Sequence, residues 1–457
     1  MPVTADNRTL VVRGRGPVVA LARAPSIGRV DPPPGPQPQP PHPEHPLPLH
    51  HNYSGYKSYE YVRSHRDFTE YDLIEGESIF EPYLVPLTPA QEARVADLVE
   101  RILMISLHEH PHLFPAKADQ IRAYDSEGRV HTAYEALADS WWDCVFDNFL
   151  DGAACITSKN GWKWDDIIYD MGMRFCDLAH QDFIIKCERV DDIQRAHREK
   201  RIALVAAQEG AAMIENELDR IEILYGIGLR VLGITYSESN ALGTGLKETR
   251  DGGLTSFGRK AVRRMNEVGL AIDCAHASDQ TTLDTVEVSK HPIFLTHTGA
   301  RGLWNIKRLA PDNVIRAVAD KGGVIGIEAA PHTTVSPRHL RHGIESFMDH
   351  FEYVKDLVGI DHVAFGPDTL YGDHVGLHKV YAAALSIDET QTGGQDDDAG
   401  ASPAPEHIPV DYVRGIENPT EGSKNIPRWL VRQGYSDEDI ARVMGENIIR
   451  VLKEVWQ

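Results

Sequence analysis

The stretch "ILMISLHEHPHLFP", residues 102–115, holds the key to the fold. A run with the apolar composition of a buried strand passes directly into His108, Glu109, His110, Pro111 and His112. Side chains two apart on an extended strand point to the same side, so His108 and His110 can present two ring nitrogens to one cation. His112 would share that side if the strand ran on. Proline brings no N–H to a ladder, so the strand is expected to stop at Pro111 and His112 to play a structural or supporting part.

Outward from this stretch the pattern is regular. Upstream, Thr88, Pro89 and Gln91 supply an N-cap, a proline at the first helical position and a capping-box partner. Val95, Leu98, Val99 and Ile102 then recur at helical spacing. Downstream, apolar runs alternate with helical patterns: 103–107, 153–157, 202–207, 229–235, 270–274, 293–296, 324–327 and 363–366. Continuous apolar runs between amphipathic helices indicate parallel strands covered on both faces. Eight such units predict an α/β fold, a (β/α)8 TIM-like barrel. The barrel is expected over 87–457, after an N-terminal extension, 1–86.

That extension contains "DPPPGPQPQPPHPEHPLPLH", 31–50, whose prolines favour extended linker geometry. Its start could form a short hairpin, and His42, His45, His50 and His51 read as solvated linker residues. A second irregular segment, an insertion around 371–414, contains the acidic stretch "GGQDDDAGASPAP", 393–405, and reads as a mobile loop. Its flank "YGDHVGLH" offers Tyr371, His374 and His378 to the barrel mouth, with Tyr371 and His374 as candidate substrate contacts.

The formal net charge of -21 argues against binding nucleic acid or an anionic membrane, and leaves a small-molecule substrate as the expected partner. Five cysteines, with no CxxC pair, predict reduced core thiols. With no spanning segment or leader pattern, a cytoplasmic chain is expected, in a homo-oligomer of two or more copies.

Catalysis in such barrels takes place where strands end. The first strand leads to His108 and His110, the third to Glu209, the fifth to His276, the sixth to His297 and the eighth to Asp368. Any one of these could be an ordinary turn residue. Four imidazoles and two carboxylates converging on one mouth suit two divalent ions, with zinc expected because it accepts both N and O ligands. Two ions acidify a shared water and polarise the bond it attacks, which is hydrolytic chemistry. No GxSxG elbow offers a nucleophile instead.

The segments "VDDIQRAHREKRIALVAAQEGA", "GLTSFGRKAVRRMNEVGLAIDCAHAS", "FLTHTGAR", "VGIDHVAFGPD" and "GYSDEDIARVMGENIIRVLKEV" resemble the membrane dipeptidase (renal dipeptidase) family of zinc metallopeptidases. The resemblance implies that Glu209 bridges two ions, that His276 and His297 hold one, and that His108, His110 and Asp368 hold the other. It also puts Arg301 where the family grips a substrate carboxylate, a task suited to a guanidinium fork. Two positions depart from the family. His110 stands where the motif H-x-D has a carboxylate, and Tyr236 where a histidine reaches the scissile carbonyl.

The expected activity is hydrolysis of an amide bond in a dipeptide or similar small carboxylate-bearing substrate. Tyr236 would donate to the oxyanion, Asp368 would pass the proton and Arg301 would anchor the carboxylate. The alternatives are N-acyl amide, ester or lactone hydrolysis or decarboxylation on the same barrel, and a catalytically silent binding protein.

Overall fold

The computed structural model describes residues 50–127, 129–149, 163–385 and 408–456. The hairpin, the linker 31–49, the run 153–157, Cys155 and the acidic stretch lie outside them.

Each barrel strand forms where an apolar run is flanked by helices. The strands are β1 (Ile105–Leu113), β2 (His131–Thr132), β3 (Cys144–Asn148), β4 (Ile184–Cys187), β5 (Ile202–Gln208), β6 (Val231–Gly233), β7 (Ala271–Asp273), β8 (Phe294–Thr298), β9 (Val324–Ile327), β10 (Val363–Phe365) and β11 (Leu370–Tyr371). Pairing follows the path β10-β9-β8-β7-β6-β5-β3-β1-β11, with β2 beside β1 and β4 beside β5. Because β11 continues the chain directly beyond β10, its parallel pairing with β1 brings the path back to its start. The amides of His110 and Phe114 donate to the carbonyls of Thr369 and Tyr371 at 2.9 Å, and Asp368 N donates to His108 O at 3.1 Å.

Two expectations are corrected. The second barrel strand is Cys144–Asn148, which pairs with both β1 and β5. The first strand does not stop at Pro111. It carries its histidines, running through Pro111 to Leu113. Proline is tolerated because the register shifts between His110 and Leu113, and the Pro111 carbonyl still accepts from Ala133 N at 3.0 Å. Other expectations hold. Helix Pro89–Arg101 has the capping box built from Thr88 and Gln91, and the cysteines among the described residues are free, with Cys144, Cys187 and Cys274 buried.

One end of the barrel is plugged by the C-terminal helix Asn447–Val455, whose Ile448, Leu452 and Val455 pack with Ile105, Cys144, Val205, Phe294 and Ala364. Residues 50–86 pack onto the barrel. Tyr56 Oη and Tyr59 N donate to Asp177 at 2.7 Å, and Val85 N donates to Asn425 Oδ1 at 2.7 Å. The flank after β11 is not a loop: His374–Leu385 is a helix, and its Leu377 and Tyr381 pack with Phe114, Ile121 and Leu370.

Candidate metal centre

Period-two alternation turns His108 and His110 to the barrel interior. Their Nε2 atoms are 3.3 Å apart, and each lies 3.2 Å from Asp368 Oδ1. Ligand atoms about 2.1 Å from one ion stand roughly 3 to 3.5 Å from each other, so this trio has the edges of a coordination polyhedron. A second trio lies beside it. Glu209 Oε2 is 3.3 Å from His276 Nε2 and 3.8 Å from His297 Nε2, and the two nitrogens are 2.9 Å apart. His297 joins the two, with its ring centroid 3.5 Å from that of His108. The six ligand-type residues read from the sequence therefore converge on one site.

Neighbouring groups orient each imidazole from behind, as metal-ligating histidines require. Asn148 lies 2.7 Å from His108 Nδ1, Ser237 Oγ 3.1 Å from His276 Nδ1, and Thr296 Oγ1 2.8 Å from His297 Nδ1. Thr296 in turn donates from Oγ1 and N to Asp273 at 2.8 Å, and Ala275 N donates to the same carboxylate at 3.1 Å. Asp273 thus locks β7 to β8 beneath both His276 and His297. Gly233 lets β6 approach closely, since a Cβ there would come within 2.1 Å of the Glu209 carbonyl.

Electrostatics match a cation site. Burial pushes His108 down to about 4, and burial also holds His276 and His297 well below the usual imidazole range, helped by the Arg308 charge. Burial works to raise Asp368, but its interactions with His108 and His110 hold it well below the carboxylate range. Neutral imidazoles with an ionised carboxylate are the protonation states that metal ligation needs. The donor set therefore fits divalent ions.

Asp368 has φ +58, a left-handed conformation that costs a non-glycine residue on the order of 1 kcal/mol. Glu109 helps hold it there. Its Oε2 accepts from Thr369 N at 3.0 Å and Thr369 Oγ1 at 2.7 Å, while Oε1 accepts from Ser106 Oγ at 3.0 Å.

The remaining candidates divide. Tyr236 is at the site, its ring stacked on that of His276 with centroids 4.3 Å apart. His374 is buried and within reach of the charges of Asp368, His110 and His108. Tyr371 is not brought to the site. Its ring is fully buried and its hydroxyl pairs with Thr420 Oγ1 at 2.8 Å. Arg301 is not brought there either. Its guanidinium forks onto Asp279 at 2.7 and 2.9 Å and donates to the Leu309 and Lys307 carbonyls, pinning its own loop.

The arginine turned toward the ligands is Arg308. It pairs with buried Glu328 and donates to the carbonyls of Ala275 at 3.1 Å and His297 at 3.2 Å. Sequence reading missed Arg308, Glu328, Asp273 and Glu109. Glu109 and Asp273 could have been noticed as acids inside otherwise apolar strand ends. His112 is buried in β1, with its Nδ1 4.0 Å from Asp147, whose carboxylate pairs with Arg174.

Residues 168–389 match the family model described as membrane dipeptidase. That span contains Glu209, His276, His297 and Asp368, whereas His108 and His110 precede it. The dipeptidase tcpJ of Claviceps purpurea is 25% identical over 288 residues, covering 63% of this chain and 58% of its own length. Among solved structures, an amidohydrolase from Pseudomonas aeruginosa matches with TM-score 0.60 at 21% identity, covering 79% of this chain and 99% of the other. A metallo peptidase from Rhodobacter sphaeroides, liganded with a phosphinate mimic of the dipeptide L-Ala-D-Ala, matches with TM-score 0.57 at 18% identity, covering 78% and 99%. At these identities the structural likeness is one of fold, and it agrees with the barrel described above. By its matched span and its barrel, the chain resembles the membrane dipeptidase family over the part that carries four of its six ligand-type residues.

Proposed function

We propose that the protein is a dipeptidase-like hydrolase that holds two divalent ions, zinc by expectation, and cleaves an amide bond in a small carboxylate-bearing substrate. The observation that carries this reading is two groups of ligand-type atoms that share His297, one with His108 and Asp368 and the other with Glu209 and His276, with His110 Nε2 3.3 Å from His108 Nε2. His108, His110 and Asp368 would hold one ion and His276 and His297 the other, with Glu209 shared between them. When bound, the ions would acidify the attacking water and polarise the scissile carbonyl.

The chain's own residues do the rest. Tyr236, fixed against the His276 ring, is the proposed hydrogen-bond donor to the developing oxyanion. Asp368, ionised and held in a strained turn, is the proposed carrier of a proton to the leaving amine. With Arg301 committed to Asp279, the cation acting on the site is Arg308, which would favour an anionic substrate. The proposal extends to a cytoplasmic setting and a homo-oligomeric state. Among the described residues no helix is long and apolar enough to cross a membrane.

His110, in place of the family's carboxylate, leaves the site one negative charge poorer and favours a second reading, in which the same centre acts on an N-acyl amide, ester or lactone. Metal-loaded protein assayed against dipeptides, N-acyl amino acids and simple esters separates the two. Turnover of dipeptides that chelation abolishes supports the first. Turnover confined to esters or lactones supports the second.

A further inference from the structure

His350, on the helix Ile344–Val358, is fully buried, and a buried imidazole must pair its nitrogens somewhere. Both partners lie on loops that leave adjacent barrel strands at the end that carries the ligands. Ala300 N, from the loop after β8, donates to Nδ1 at 3.0 Å, and Nε2 stands 3.0 Å from the carbonyl of Val335, in the loop after β9. A ring nitrogen that accepts from an amide carries no proton, so in the neutral ring the proton sits on Nε2 and is donated to Val335. Burial pushes His350 down to about 4, which keeps it in this neutral form. One imidazole thus ties two loops to one helix, through one acceptor and one donor.

The same loops pack on each other. Trp304, Ile306 and Leu309 of the first form an apolar cluster with Val335 of the second, the residue whose carbonyl faces His350. Each loop is also fastened beside a proposed ligand. Ala300 lies three residues beyond His297, and Arg308, from the same loop, donates to the His297 carbonyl at 3.2 Å. The second loop begins at Glu328, whose N–H donates to the Thr298 carbonyl at 2.9 Å. The next amide, Ala329 N, donates at 2.8 Å to the carbonyl of Pro367, the residue before Asp368. His297 and Asp368 belong to one group of ligand-type atoms, and His297 belongs to the other group as well.

We infer that His350 is a positioning residue of the metal centre. By bracing the β8 and β9 loops against one helix, it fixes the backbone beside His297 relative to the backbone beside Asp368, and with it the mutual placement of the two groups of ligands. This rests on the hydrolase reading above.

The test uses the full-length chain loaded with cobalt(II), whose visible absorption reports coordination geometry, beside zinc-loaded protein assayed against dipeptides. His350→Asn keeps an acceptor near the place of Nδ1 and loses the donor to Val335, whereas His350→Gln keeps a donor near the place of Nε2 and loses the acceptor for Ala300. Val354→Ala, a buried position one turn further along the same helix, is the control for lost packing alone. Each His350 variant should bind cobalt about tenfold more weakly, with altered visible bands, and should lower kcat by about tenfold with KM moved much less, as when groups behind metal ligands are disturbed. Val354→Ala should lower the melting temperature and leave cobalt affinity and bands as in wild type. Should neither His350 variant fold, Val335→Ala, which thins the contact between the same two loops, carries the same expectation for cobalt. Affinity and bands that stay as in wild type, or that change no more than in Val354→Ala, would overturn the inference. If no dipeptide is turned over, the substrate is misread, and cobalt affinity and bands still decide the part of His350. A wild-type chain that binds no cobalt would overturn the hydrolase reading and this inference with it.

Discussion

Glu109 shows how a residue that never faces the ions can govern the site. It sits between two proposed ligands on β1, points to the other side of the strand, and clamps Thr369 beside the strained Asp368. Glu109→Gln keeps the shape but replaces one acceptor oxygen with a donor. It should lower kcat by about tenfold with KM moved much less, as when a group acting in the transition state is displaced. Equal loss of folded protein and activity would make Glu109 merely structural. Tyr236→Phe removes one hydroxyl and should lower kcat by about a hundredfold with little change in KM, the usual cost of one oxyanion donor. Unchanged turnover would assign Tyr236 to packing against His276. At this scale the histidine pair was legible because strand periodicity alone puts His108 and His110 on one side. Which of two arginines turns inward was not. Arg301 and Arg308 share a loop, and their directions are set by Asp279 and Glu328, partners distant in sequence.

Seven of the eight strands were legible as apolar runs, and the one misplaced shows what hides a strand. In β3, "CVFDN", Asp147 and Asn148 interrupt the apolar pattern because Asp147 pairs with Arg174 and Asn148 holds His108. The more apolar run at 153–157 attracted the assignment instead. The helix His374–Leu385 was hidden similarly, since its packing partners Phe114 and Ile121 lie far back in the chain. Strand closeness yields its own prediction. At Gly366 a Cβ would meet the Thr296 carbonyl at 2.0 Å, directly behind His297. Gly366→Ala must push the Thr296 carbonyl and the chain just after β10 apart, and should destabilise the fold by about 1 to 3 kcal/mol, as other overpacked interiors do. Denaturant titration measures it, and a cost near zero would mean that Gly366 and the Thr296 carbonyl do not approach this closely.

For the whole molecule, the count of runs and the strong negative charge were legible, because barrels repeat one unit and charge is additive. The setting of buried acids was not. Burial pushes Glu417 up to about 8, although Val413 N donates to it at 2.5 Å. A carboxyl raised above its unfolded value binds its proton more tightly when folded. Its contribution to stability is thus complete below the unfolded value of about 4.3 and is lost as pH rises toward 8. Glu417→Gln should therefore flatten the fall in melting temperature between these limits, and an unchanged slope would place the titration elsewhere.

The most direct measurement of the central claim is elemental analysis of purified, untagged, active protein, repeated after chelation and after metal is restored. Two divalent ions per chain are predicted, with activity lost on chelation and regained with metal, and with binding of both ions weakened in Glu209→Gln. Full activity in protein that carries no bound metal would contradict the account.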